Sequence, residues 1–140
     1  MIWWILIAAF VGFLAYVRLA PSDPSRWHKP STATGMGETR GPGSHLWRQR
    51  VAGDEEEALR KIDAVAQATA RTQVLAGSVA DKQITYVTRS KLVGFPDYTT
   101  VGVYGPTEER YIEIYGRLRF GTSDLGVNRA RVEAWRAVLQ

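Results

Sequence analysis

Between Ile2 and Ala20 the chain reads IWWILIAAFVGFLAYVRLA, an apolar run broken only by Arg18. At about 1.5 Å per helical residue such a run comes close to the roughly 30 Å hydrocarbon thickness of a bilayer. Residues 1–20 are therefore expected to form a transmembrane anchor. Trp3 and Trp4 at one end, and Tyr16 with Arg18 at the other, supply the amphipathic rings and the snorkelling guanidinium that hold a helix at the headgroups. A cleaved signal peptide would open on basic residues and end on small ones. Here no Lys or Arg precedes the run, and Arg18 stands three residues before Pro21.

From Pro21 the apolar pattern stops. Pro21, Pro24, Pro30 and Pro42 alternate with Gly35, Gly37, Gly41 and Gly43, a composition that favours extended or turning backbone. Residues 21–52 are expected to be a linker. Trp27 stands out within it, and packing onto the following domain is its plainest use.

A second pattern begins near Gly53. Asp54 and Glu55, Glu56 and Glu57 stand where a helix N-terminus favours acids, and Ala58, Leu59, Ile62, Val65, Ala66 and Thr69 recur at helical spacing. β-type segments then follow at 72–78, 84–90, 99–104 and 111–117, with turn residues between them. Ile84, Tyr86 and Thr88 alternate with Thr85, Val87 and Arg89, and Ile112 and Ile114 with Tyr111, Glu113 and Tyr115, so one face is expected to be buried and the other open. A closing helix carries Val127, Val132, Trp135 and Val138 or Leu139 as its stripe, with Asp124 or Asn128 available as a cap between Gly121 and Gly126. The expected architecture is α+β: an N-terminal transmembrane helix, then at 53–140 a small antiparallel sheet of about four strands covered by two helices.

Charge and composition narrow the chemistry. The formal net charge is +4, but the basic residues are spread along the chain without a block that would track a phosphate backbone, so no nucleic-acid partner is expected. The chain has no cysteine, which removes disulfides, thiol catalysis and thiolate metal sites. His28 and His45 lack a second ligand at metal spacing. Asp97 and Asp124 occupy turns where Asp hydrogen-bonds backbone amides, and no nucleophile elbow is present. Neither a metal, a cofactor nor an enzymatic activity is expected.

One junction concentrates charge. Arg117 and Arg119 lie two apart at a strand end and project to the same face, beside the Gly121–Gly126 turn and the start of the last helix. With Ser123, Asp124, Asn128, Arg129 and Arg131 they offer two readings: an internal salt-bridge clasp locking the last helix to the sheet, or a site for a small anion or lipid headgroup. The aromatic set Tyr86, Phe95, Tyr98, Tyr104, Tyr111, Tyr115 and Phe120 serves cross-strand packing by default, and its open-face members favour a protein partner.

The strand Ile84–Ser90 ending in Arg89-Ser90, the turn Gly94-Phe95-Pro96-Asp97, and Arg117, Arg119, Gly121, the run Ser123–Arg129 (SDLGVNR), Arg131, Val132 and Glu133 together resemble the domain-of-unknown-function 1499 family, over about Glu55–Leu139. Gly116 and Leu118 depart from that pattern, which tends to small hydroxyl residues there, and a membrane helix stands where a lipobox cysteine would be. The resemblance implies a bacterial membrane-anchored or lipoprotein-like domain and no transferable reaction. The expected function is a single-pass, non-catalytic binding or accessory module of the inner membrane, in contact with the bilayer and a partner protein of that membrane.

Orientation divides two arguments. Arg18, Arg26 and Lys29 flank the apolar run on its C-terminal side, which the positive-inside tendency holds in the cytoplasm. The resemblance to exported relatives implies a periplasmic domain instead. Alkaline phosphatase fused after Gln140 is expected to be active; a fluorescent reporter that matures there in the cytoplasm, without phosphatase activity, reverses the assignment.

Overall fold

The apolar run folds as helix α1, Ile2–Leu19, in a computed structural model that describes residues 1–140. It is long and apolar enough to cross a membrane, as an anchor or a signal sequence would be. A single turn, α2 (Pro24–Trp27), follows, capped by the Asp23 side chain. Strands β1 (Gly37–Gly41) and β2 (Ser44–Arg50) form a hairpin, ahead of helix α3 (Glu55–Ala68). Strands β3 (Thr72–Ser78), β4 (Gln83–Arg89), β5 (Pro96–Tyr104) and β6 (Tyr111–Leu118) follow, and helix α4 (Val127–Arg136) closes the chain with a short 3-10 turn.

The sheet has six strands in the order β1-β2-β6-β5-β4-β3, every neighbouring pair antiparallel. The expected count of about four is corrected by β1 and β2, which lie inside the stretch expected to be a linker. Neither carries period two, for opposite reasons. β1 is an exposed edge strand along its whole length, whereas β2 is buried on both faces, with Leu46 and Trp47 adjacent and both inside. Gly41, Pro42 and Gly43 supply the tight turn of a hairpin instead of linker flexibility.

Helices α3 and α4 cover one face. Leu59, Ile62 and Ala66 of α3 and Val132 and Trp135 of α4 pack on Trp47, Ile84, Tyr86, Val101, Val103, Ile112 and Ile114. Tyr86 and Trp135 meet edge to face with centroids 5.2 Å apart. Their polar tips are satisfied too: Tyr86 donates to Asp63 at 2.6 Å and Trp135 Nε1 to Thr69 Oγ1 at 3.0 Å.

The opposite face was expected to be open, and it is covered. Residues 21–36 run across it as an arm. The Trp27 indole stacks on Tyr98 at 4.0 Å. Ser22 Oγ lies 2.7 Å from Tyr98 Oη, His28 Nδ1 lies 2.8 Å from Thr85 Oγ1, and the Ser31 amide donates to Glu113 Oε1 at 2.7 Å. The arm has no apolar period because polar contacts bind it. The molecule is thus three layers deep: helices, sheet and arm.

Asp54 starts α3 by accepting from the amides of Glu56 and Glu57 at 2.9 and 3.3 Å. Glu55 beside it takes hydrogen bonds from Lys82 Nζ and, at 3.2 Å, from Arg110 Nε, tying the helix start to two loops. These partners, Lys82 first, hold its carboxyl below the usual carboxylate range. A depressed carboxylate stabilises the fold above its unfolded value, and that contribution is lost as pH falls through the folded one. Glu55→Gln is expected to lower the urea midpoint at pH 7, by the up to about 1 kcal/mol of a partly exposed pair, and to converge with wild type at the acid end. Equal differences at pH 7 and pH 3 would count against this account.

Candidate functional site

The position of Arg117 follows from strand parity. Ile112 and Ile114 face α4, so Glu113, Tyr115 and Arg117 face the arm. Arg117 Nη1 donates to Thr100 Oγ1 at 2.8 Å and to the Tyr115 carbonyl at 3.1 Å, while Nη2 donates to the Trp27 carbonyl. Burial pushes this guanidinium down to about 10, which leaves it charged at neutral pH. Arg119 Nη1 donates to the Pro21 carbonyl at 3.1 Å and to Tyr98 Oη at 3.0 Å. Neither arginine forms an ion pair with an acid, so the clasp does not run through them, and the arm occupies the surface that an anion would need.

The other residues of the junction lie on the helix side. Asp124 accepts from the amides of Gly126 (2.9 Å) and Asn128 (3.2 Å) and from Asn128 Nδ2 (2.7 Å), and Gly126 takes φ 82° at the turn into α4. Asn128 Oδ1 in turn accepts from Arg131 Nη1 at 3.0 Å, and Arg131 pairs with Asp97 at 3.6 Å. The ion pairs between helix and sheet are therefore Arg131–Asp97 and, at 2.9 Å, Arg136–Glu38 of β1. Burial raises the Asp97 carboxyl against the pull of Arg131, and burial lowers Arg131 against the pull of Asp97. Gly116 belongs to this packing: a Cβ there would stand 2.8 Å from Asn128 Oδ1. Arg129 pairs with Glu133 on the surface, and Ser123 Oγ accepts from the Leu125 amide at 3.4 Å.

Two arrangements were not foreseen from the sequence. The first is a charged layer between sheet and arm. Arg48 Nε donates to Glu113 Oε2 at 2.7 Å, and both side chains are buried. Arg48 Nη1 also donates to the Ala33 carbonyl at 2.6 Å and Nη2 to that of Ser31 at 3.3 Å. The available signal was Glu113 between Ile112 and Ile114, in register with Arg48 of β2.

The second is a cavity of about 750 Å³ at the end of the sheet nearest α1. Ser123, Asp124 and Arg131 of the junction line it, but its other cations are Arg71, Arg89 and Lys91, and its apolar wall includes Phe13, Phe95, Leu118, Phe120 and Val127. Ser90 shapes one rim, its Oγ accepting from the amides of Gly94 (3.0 Å) and Phe95 (2.9 Å). Phe13 of α1 lies 6.3 Å from Phe95, Phe95 lies 6.1 Å from Phe120, and Phe120 lies 6.0 Å from Tyr16. The cavity wall and the membrane-type helix are one aromatic surface.

The profile of the family described as "Protein of unknown function (DUF1499)" matches residues 18–139. The chain belongs to that family. The DUF1499 unit thus includes the arm and the β1–β2 hairpin and starts within the last turn of α1. The residues that carry the resemblance have structural uses here: Ser90 and Gly94 shape the cavity rim, and Asp124, Asn128 and Arg131 join α4 to the DUF1499 sheet. A comparison with curated proteins finds no match.

Removing Glu113 leaves Arg48 buried without its carboxylate partner and takes a nearby counter-charge from Arg117. Glu113→Ala is expected to destabilise the fold by about 3–5 kcal/mol and to free the arm, seen as faster tryptic cleavage after Arg26. An unchanged midpoint with unchanged cleavage would show that the layer does not hold the arm.

Proposed function

We propose that this chain is a single-pass membrane protein whose α+β domain is a non-catalytic binding or accessory module, held against the bilayer in one orientation and meeting a partner of the same membrane. The observation that carries this reading is the union of α1 with the domain. Val17 is 0% exposed and its carbonyl accepts from Arg89 Nη1 at 3.2 Å. Arg18 donates to the carbonyls of Val93 (3.0 Å) and Leu92 (2.9 Å). Phe13, Tyr16, Val17 and Ala20 share one helix face, and cleavage before Pro21 would strip all of these contacts from the fold. Retention of α1 is the reading that keeps them.

Helix length supports the placement. Eighteen residues span about 27 Å, about one hydrocarbon core, so the turns that touch the domain lie at the boundary between acyl chains and headgroups. The loops 90–97 and 118–127 lie there with them. Leu92 is 84% and Leu125 94% exposed on those loops. Leu125 also sits at φ 54°, a left-handed conformation unfavourable for a bulky residue, and lipid contact gives its side chain a use that water does not. The periplasmic assignment rests on the resemblance to exported relatives.

The binding reading also agrees with how the chemically versatile groups are used. His28 is hydrogen-bonded to Thr85, and His45 is sealed beneath α4, where burial lowers its pKa.

Carbonate-washed membranes from cells expressing the full chain are expected to retain it at the intact mass of 15.6 kDa. A soluble form beginning near Pro21 would overturn the anchor.

A further inference from the structure

The cavity beside α1 combines two surfaces that rarely share a wall. On one side, Phe13, Phe95 and Phe120 are continuous with a helix whose residues from Ile2 to Gly12 are exposed. On the other, Arg71, Arg89 and Lys91 form no ion pair with any acid of the chain, and both carboxylates of the lining are engaged: Asp97 with Arg131, Asp124 with Asn128. The guanidinium of Arg71 is held at the mouth by one bond, Nε to the Arg89 carbonyl at 3.0 Å. Lys91 is exposed and makes no hydrogen bond through its ammonium.

We propose that this cavity binds one anionic phospholipid drawn from the leaflet in which α1 ends, with the phosphate at Arg71, Arg89 and Lys91 and the upper acyl chain along Phe13, Phe95 and Phe120. Charge complementarity selects the head: cations without carboxylate partners bind phosphate through charge-assisted hydrogen bonds. Continuity selects the tail, because the apolar wall runs onto a helix at lipid depth, so an acyl chain can enter without crossing water. A free phosphate would leave that aromatic wall in contact with solvent. The cavity also falls within the roughly 300–1,000 Å³ of ordinary ligand sites, room for a headgroup and the top of a chain. The site depends on the anchor reading and names what the membrane-facing end of the module takes hold of.

The test uses the intact chain in nanodiscs of phosphatidylcholine with or without phosphatidylglycerol. Native mass spectrometry after release into detergent counts retained lipid, and thermal unfolding reads stabilisation. Phosphatidylglycerol is expected to be retained preferentially and to raise the melting temperature. Arg71→Ala with Lys91→Ala, both exposed positions, is expected to weaken retention about fivefold for each cation removed, and Arg60→Ala on the far surface of α3 to change nothing. Val127→Trp, which fills the cavity from its rim, is expected to abolish preferential retention while the protein still unfolds cooperatively. Equal retention of both lipids by an intact, membrane-integral chain overturns the site and leaves the anchor standing. A soluble chain lacking α1 overturns both. Full stabilisation by inorganic phosphate alone overturns the lipid assignment.

Discussion

Two guanidiniums and one carboxylate are buried between the sheet and the arm, and the rest of the molecule is arranged around that fact. Arg48, Arg117 and Glu113 cannot lie under an apolar cover, because a buried charge needs hydrogen-bond partners in fixed positions. Glu113 and Arg48 satisfy one another in part. Thr100 and the Tyr115 carbonyl take Arg117 Nη1, and backbone carbonyls of Trp27, Ser31 and Ala33 take the other donors; carbonyls of an arm are available only when the arm lies flat across the strands. The polar layer therefore determines the path of residues 21–36. The arm continues directly from α1, so the same layer fixes where the helix leaves the domain. A segment that resembles a flexible tether is the part that makes the tether rigid.

That arrangement explains which elements could be read in advance. Helices α3 and α4 bury one apolar stripe, and strands β4 to β6 turn mainly aliphatic side chains to the helices and polar or aromatic ones to the arm, so their periods of 3.6 and 2 record the layers. The arm, β1 and β2 do not. β2 is buried on both sides, β1 on neither, and the arm docks through its backbone, which leaves no trace in side-chain pattern. The junction after β6 was legible by half. Asp124, Asn128 and Arg131 do gather there, and Arg131 with Asp97 makes a link to the sheet. Arg117 and Arg119 were assigned to the wrong neighbours although parity contained the answer. If Ile112 and Ile114 meet the helices, Arg117 shares its face with Glu113 and faces away from α4. The cations that do line the cavity, Arg71, Arg89 and Lys91, come from strand ends distant in sequence, and only the fold brings them together.

The consequence for function is directional. A domain on a loose linker samples many orientations, and no single surface stays at the membrane. Here Val17, Arg18 and Arg89 fasten the helix to the loops at one end of the sheet, so that end is committed to lipid whenever α1 is in a bilayer. Fully burying a leucine is worth about 1.5–3 kcal/mol, so Leu92 and Leu125, exposed in water, become a second attachment once lipid covers them. Insertion and fold then reinforce one another: the polar layer orients the arm, the arm orients the helix, and the bilayer covers the apolar loops that the helix brings to it. One edge of the sheet, β1, is paired only with β2 and carries Glu38 and Arg40. Charged side chains on such an edge discourage pairing with further strands, whereas the end of the sheet beside α1 presents the cavity and the exposed leucines.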